Sequence, residues 1–256
     1  MIRAQLPGII NLCCRHRGHH QHPHPHADGT TGHTHEVTVA RRILDANDQM
    51  ASRNRQKFAQ NKVFVLNVMS SPGSGKTTTL VNTIQQLKKG GLRCAVIVGD
   101  ICTRNDADRL AATGVPSVQI NTDQFGGDCH LTAEGIDQAL ATIDLSEIDL
   151  LIVENVGNLV CPAEFDIGED ARAVILSVTE GEDKPLKYPL MFRQCDVALL
   201  NKTDLLPHLT FDAQLATDNI QQVHPGIPVW PISATSGEGF APWIAWLTEQ
   251  IAHKQG

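Results

Sequence analysis

Aromatic side chains are scarce in this chain. One Tyr, three Trp and seven Phe make up 4% of its 256 residues, while 41% are hydrophobic overall. Any core must therefore be built from Val, Ile, Leu and Ala, a composition that suits a parallel sheet buried under helices on both faces. Basic charge is also short: 21 Lys and Arg against 28 Asp and Glu leave a formal net charge of −7. A nucleic-acid or anionic-membrane partner held by electrostatics needs a concentrated basic surface, so neither is expected. No run reaches the roughly 18 apolar residues that span a bilayer, and the apolar stretch of MIRAQLPGIINLCCRHRGHH is too short and interrupted for a secretory signal. A cytoplasmic protein is expected. The seven cysteines, odd in number and unevenly spaced, fit reduced thiols or metal ligands better than a disulfide framework.

Histidine, by contrast, is concentrated. Eight of the twelve (His16, His19, His20, His22, His24, His26, His33 and His35) fall within residues 12 to 36, among Gly, Pro and Thr. Such a segment has little to bury, so residues 1–36 read as a tail that is disordered without a ligand. Interspersed imidazoles suit weak, multiple sites for Ni²⁺, Cu²⁺ or Zn²⁺, with His19, His20, His22, His24 and His26 the candidate nickel-storage ligands. An inert linker shares this composition.

Residues 37–256 read as one domain. Its first part is an amphipathic helix with Val39, Ile43, Leu44 and Met50 as the spaced apolar positions. Apolar runs at 63–69, 94–100, 117–121, 150–155, 173–179, 197–202 and 229–233 then alternate with helical stretches near 76–88, 105–113, 131–143, 185–194, 211–222 and 240–253. That alternation implies right-handed crossovers and a doubly wound, mostly parallel α/β sheet of the P-loop NTPase, G-domain-like class. Ligands of such sheets bind beyond the carboxyl ends of the strands. The motifs all sit there.

The first motif is Ser70-Ser71-Pro72-Gly73-Ser74-Gly75-Lys76-Thr77, set between a strand and a helix. Backbone N–H groups of Gly73, Ser74, Gly75 and the residues through Thr78 can wrap phosphates. Lys76 would reach the β- and γ-phosphates, and the Thr77 hydroxyl would ligate Mg²⁺. The general pattern has Gly where Ser70 stands. The second motif, Asn201-Lys202-Thr203-Asp204, follows a strand, and the Asp204 carboxylate can accept from both N1–H and the 2-amino group of guanine. GTP is therefore the expected nucleotide, with Ser233-Ala234 as a further base-contacting loop. Asp100 and Glu154 end strands and are candidate Mg²⁺ ligands. Gly157 stands where a backbone N–H can meet the γ-phosphate, and Asp106 could orient the attacking water. No arginine finger or water-positioning Gln is evident.

Cys129-His130 and Cys161 supply thiolate and imidazole, ligands of Zn²⁺ and Ni²⁺. Three groups leave a tetrahedral site short of one ligand, which water or a second copy of the chain could provide. Cys161 lies four residues beyond Gly157, so hydrolysis could move a metal ligand. Ordinary buried or surface cysteines also fit the residue types. Cys94 and Cys195, in apolar surroundings, read as core; Cys102 and Cys13-Cys14 have no assigned role.

In order, SSPGSGKT, GDICTRNDADR, GGDCH, ENVGNLVCP, TEGEDKPLKYP and NKTDL resemble the HypB family of hydrogenase nickel incorporation GTPases over roughly residues 38 to 254. Ser at the first loop position is usual there. The resemblance implies a GTP-hydrolysing metallochaperone that delivers nickel to the large subunit of [NiFe] hydrogenase. It also implies a homodimer dependent on nucleotide and metal, a dimer-interface metal site mapping onto Cys129, His130 and Cys161, and partnership with the nickel chaperone HypA. It places TEGEDKPLKYP, with Lys184 and Lys187, near the dimer contact. Some members carry an N-terminal C-x-x-C-G-C nickel motif that this chain lacks. Two competing readings remain: a nickel or zinc storage protein with a vestigial GTPase fold, and a urease-type nickel-insertion GTPase, which would need a Cys-Pro-His triplet absent here.

Overall fold

The computed structural model describes residues 10–12, 32–100, 105–122 and 129–256. The elements run β1 (Ile10–Leu12), α1 (Gly32–Gln60), β2 (Phe64–Ser70), α2 (Lys76–Lys89), β3 (Cys94–Asp100), α3 (Asn105–Ala111), β4 (Ser117–Asn121), α4 (Ala133–Leu140) and β5 (Leu150–Glu154). They continue with β6 (Ala171–Ser177), α5 (Lys184–Lys187), α6 (Pro189–Arg193), β7 (Val197–Asn201), α7 (Ala213–Val223), β8 (Val229–Pro231) and α8 (Phe240–Gln255). Among the described residues one sheet has the order β1-β4-β3-β5-β2-β6-β7-β8, with every pairing parallel. The seven anticipated strands are all present. β1 extends the β4 edge, and α1 begins at Gly32, so both lie partly or wholly in the stretch read as tail.

Parallel strands covered on both faces need apolar residues on both, and β2 through β7 are almost wholly buried. Phe64, Leu66 and Val68 of β2 pack with Leu80, Ile84 and Leu87 of α2 and with Trp243, Leu247 and Ile251 of α8. The alternate residue Val65 faces Phe58 of α1 and Ile136, Ala139 and Leu140 of α4. Met69, on that same face, joins Met191 and Phe192 of α6 and Ala216 and Ile220 of α7. Among the described residues no helix is long and apolar enough to cross a membrane.

Two local readings are corrected. Residues 185–194 were expected as one helix, but the chain breaks at Tyr188 (φ −124°, ψ 55°) between α5 and α6. Pro189 causes this, because its ring disfavours helical backbone at the residue before it. In α1 the buried stripe is Asn47, Ala51, Asn54 and Phe58, whereas Leu44 and Met50 are only half-buried. The spacing of 4, 3 and 4 is a proper helix face; two of its members are amides because they bond to backbone across the interface.

Candidate functional site

β2 ends at Ser70, and the chain turns through Ser71–Gly75 into α2. Gly73 and Gly75 have φ of +76° and +92°, a region that favours glycine. At Gly75 a Cβ would also lie 2.5 Å from Asn201 Nδ2. No side chain caps α2, so its first N–H groups remain for an anion. Ser71, Gly73 to Thr78, Asp106 and Arg109 line an open cleft of about 190 Å³.

The Glu154 carboxylate, 2% exposed, accepts from Thr77 Oγ1 at 2.7 Å and sits 3.5 Å from Lys76 Nζ. Burial pushes its pKa up, against the opposing pull of Lys76 and the Thr77 hydrogen bond. Its Oε2 and the buried Ser74 Oγ have no hydrogen-bond partner. A buried acid with a free oxygen beside a threonine hydroxyl fits a hydrated Mg²⁺, a hard cation that prefers oxygen. Asp106 lies 3.7 Å from Arg109, whose Nη2 donates to Thr78 Oγ1 at 2.8 Å. Arg109 was missed in the sequence; its i, i+3 spacing from Asp106 on α3 was the available signal. Asp100 closes β3 in register with Asn121, and its side chain lies outside the described set.

Asn201 is fully buried and uses both ends of its amide: Nδ2 donates to the Ser74 carbonyl at 2.8 Å, and Oδ1 accepts from the Ala234 N–H at 3.1 Å. Lys202, in a left-handed conformation (φ +65°), donates to the Gly73 carbonyl at 2.7 Å. Ser233 Oγ donates to Asp204 Oδ1 at 2.6 Å. Asn201, Lys202, Ser233 and Ala234 thus tie this loop to the phosphate loop and orient Asp204, the group with the acceptor geometry for a base.

Gly157 packs on the phosphate loop, where a Cβ would meet Pro72 Cα at 3.1 Å. Four residues on, Cys161 opens a short 3₁₀ turn. The ligand atoms of Cys129, His130 and Cys161 all lie within 4.8 Å of one another. The His130 ring stacks on Phe165 with centroids 3.7 Å apart, and Asn158 Nδ2 donates to the Cys129 carbonyl at 3.4 Å. Reduced thiols or metal ligands were expected, and the Cys129 and Cys161 sulfurs stand within pairing distance of each other. The two loops therefore converge closely enough for both sulfurs to reach one ion as thiolates. Three soft and borderline donors at this separation fit Ni²⁺ or Zn²⁺. Cys94 and Cys195 are free and buried, and burial raises both thiol pKa values, Cys94 to about 12, as suits core cysteines. His19, His20, His22, His24 and His26, with Cys13, Cys14 and Cys102, lie outside the described residues.

Comparison with known proteins agrees with this geometry. Residues 64–231 match the model of the CobW/HypB/UreG nucleotide-binding domain. The chain is 54% identical to the hydrogenase maturation factor HypB of Azotobacter vinelandii, over 84% of its length and 69% of the relative's. It is 52% identical to that of Escherichia coli (strain K12), over 81% and 70%. A crystal structure of HypB from Helicobacter pylori in complex with nickel superimposes with a TM-score of 0.75 at 36% identity, covering 81% of this chain and 96% of that one.

Proposed function

The chain belongs to the CobW/HypB/UreG nucleotide-binding family, among the HypB hydrogenase maturation factors, and on that premise we propose that it hydrolyses GTP to control delivery of nickel. The observation that carries this reading is the short path from phosphate loop to metal ligands. Pro72 packs on Gly157, and Cys161, four residues further, meets Cys129 and His130. A γ-phosphate held by the Gly157 N–H would fix that segment, and its loss would free Cys161 to shift.

Lys76 and the Gly73–Thr78 backbone bind the phosphates, and Asp204 reads guanine. Thr77 and Glu154, with Asp100, would hold Mg²⁺, which neutralises charge developing on the phosphate oxygens. Asp106, at the cleft rim, orients the water. Nickel is the cargo, and Zn²⁺ shares its ligands. The histidines of the tail store the same ion. The exposed Val160, beside Cys161, lines a cleft with Lys184 and Tyr188, which supports a second copy docking there so that the two metal loops meet. The HypA chaperone and the hydrogenase large subunit are the donor and acceptor of the metal, and the cytoplasm is the compartment.

The test is a Ni²⁺ titration of the full chain under a phosphine reductant, with GDP and then with a non-hydrolysable GTP analogue. With Cys13, Cys14 and Cys102 changed to Ser, the thiolate-to-nickel charge-transfer band reads Cys129 and Cys161, because imidazoles give none and Cys94 and Cys195 are buried. Different affinities in the two nucleotide states are expected. Equal affinities would favour a storage protein with an idle GTPase fold.

A further inference from the structure

α1 lies outside the matched nucleotide-binding domain, which begins at residue 64, yet it grips both loops that carry the metal ligands. Asn47 Oδ1 accepts from the Ala133 N–H at 2.9 Å, and its Nδ2 donates to the Asp166 carbonyl at 2.7 Å. Asn54, two stripe positions on and with no solvent exposure, repeats the bridge: its Nδ2 donates to the Ala133 carbonyl at 2.8 Å and to the Ile167 carbonyl at 3.3 Å. Ala133 stands three residues beyond His130, and Asp166 five beyond Cys161. Arg55 adds a bidentate pair to the Asp166 carboxylate, both contacts at 2.8 Å.

Neither metal loop belongs to the sheet, so sheet hydrogen bonds do not fix their separation. Metal sites tolerate errors of only about 0.2 Å in ligand distance. Two buried amides seven residues apart on one helix face bond both loops, Asn47 donating to one and accepting from the other, and Asn54 donating to both. This is a splint across the gap that Cys129, His130 and Cys161 must span.

We propose that Asn47 and Asn54 are positioning residues for the metal site, setting the distance between the Cys129-His130 loop and the Cys161 loop. The inference rests on the reading of those three residues as the nickel site. It makes α1 an integral part of that site as well as the connection to the histidine tail.

The test titrates Ni²⁺ into the full chain with Cys13, Cys14 and Cys102 changed to Ser, reduced with a phosphine, and follows the thiolate-to-nickel band. Asn47→Ala should weaken nickel binding about 10-fold, the lower end of the effect of losing a group bonded directly to a metal ligand, because Asn47 holds the loops and not the ligands themselves, with GDP affinity unchanged. Asn47→Asp, which keeps the acceptor for Ala133 but loses the donor to Asp166, should fall between. Asn54→Ala removes a wholly buried side chain; if it does not fold, Asn47→Ala decides alone. Parent-like nickel affinity in Asn47→Ala overturns the proposal, and so does a parallel loss of nickel and GDP binding, the mark of a general structural role. Cys161→Ser separates the premise: an undiminished band in that variant means the metal site itself is misassigned, whatever α1 does.

Discussion

Gly168 gives a direct measure of how firmly α1 is seated. Its φ is +93°, and a Cβ there would lie 2.7 Å from the Ala51 carbonyl, 2.9 Å from Asn54 Cβ and 3.0 Å from Arg55 N, all on α1. Gly168→Ala therefore carries two costs. A left-handed backbone costs an L-residue about 1–2 kcal/mol, and forcing an atom into a packed interface costs about 1–3 kcal/mol. Gly226 isolates the first of these, since its φ is +86° and nothing lies within 4 Å of its would-be Cβ. The difference between Gly168→Ala and Gly226→Ala is then the α1 contact alone, about 1–3 kcal/mol. For a domain of this size each kcal/mol shifts the melting temperature by about 2–4 °C, so Gly168→Ala should melt about 2–12 °C below Gly226→Ala. Scanning calorimetry of both variants beside the parent measures it. Coincident melting temperatures would refute the packing of α1 on the Cys161 loop, and with it the splint.

Lys76→Ala, which removes the cation proposed to bridge the phosphates, should abolish GTP hydrolysis in a phosphate-release assay; a variant with parent turnover would sink the assignment of this loop. Asp204→Asn replaces an acceptor-only carboxylate with an amide and should move preference from guanine toward xanthine nucleotides, read by competition binding; unchanged selectivity would count against base reading by Asp204. Burial raises the Glu154 pKa, so the carboxylate proposed to hold Mg²⁺ is lost at a higher pH than for an ordinary glutamate. As pH falls through that raised value, kcat/KM for Mg·GTP, which reports the free enzyme, should fall too. An acid limb only at the ordinary value of about 4.3 would contradict this role for Glu154.

The strands and the loops that end β2 and β7 were legible because they follow from local rules: apolar runs make buried strands, and Gly-rich or Asn-Lys-Thr-Asp segments after them make turns at the carboxyl edge of the sheet. Cys129, His130 and Cys161 were legible as types, but their meeting depends on two loops crossing a distance that one-dimensional spacing does not encode. The face of α1 was misread for a definite reason. Pattern reading treats an asparagine as a solvent residue, so Asn47 and Asn54 pointed away from the core they occupy, and Leu44 and Met50 took their place. Arg109 was not legible because a basic residue on a short helix is commonly solvated, and its hydrogen bond to Thr78 joins α3 to α2, a contact that sequence spacing does not encode. The break at Tyr188 was readable from Pro189 and was passed over.

Asparagine is the recurrent brace of this site, and its chemistry explains why. Each loop leaves backbone N–H and C=O groups without sheet partners, and these must be bonded where they are buried. An amide both donates and accepts, so one side chain can bond two segments at once. Asn155 Oδ1 accepts from the N–H groups of Leu131 and Val156, while its Nδ2 donates to Asn67, whose own Nδ2 donates to Glu169. Asn201 does the same between the phosphate loop and Ala234, as Asn47 does between the metal loops. A carboxylate could only accept, and it would set a fixed negative charge beside phosphates or thiolates. Neutral two-way bonding ties the strand end carrying Glu154 to the Cys129-His130 loop without adding a charge beside the proposed nucleotide and metal sites.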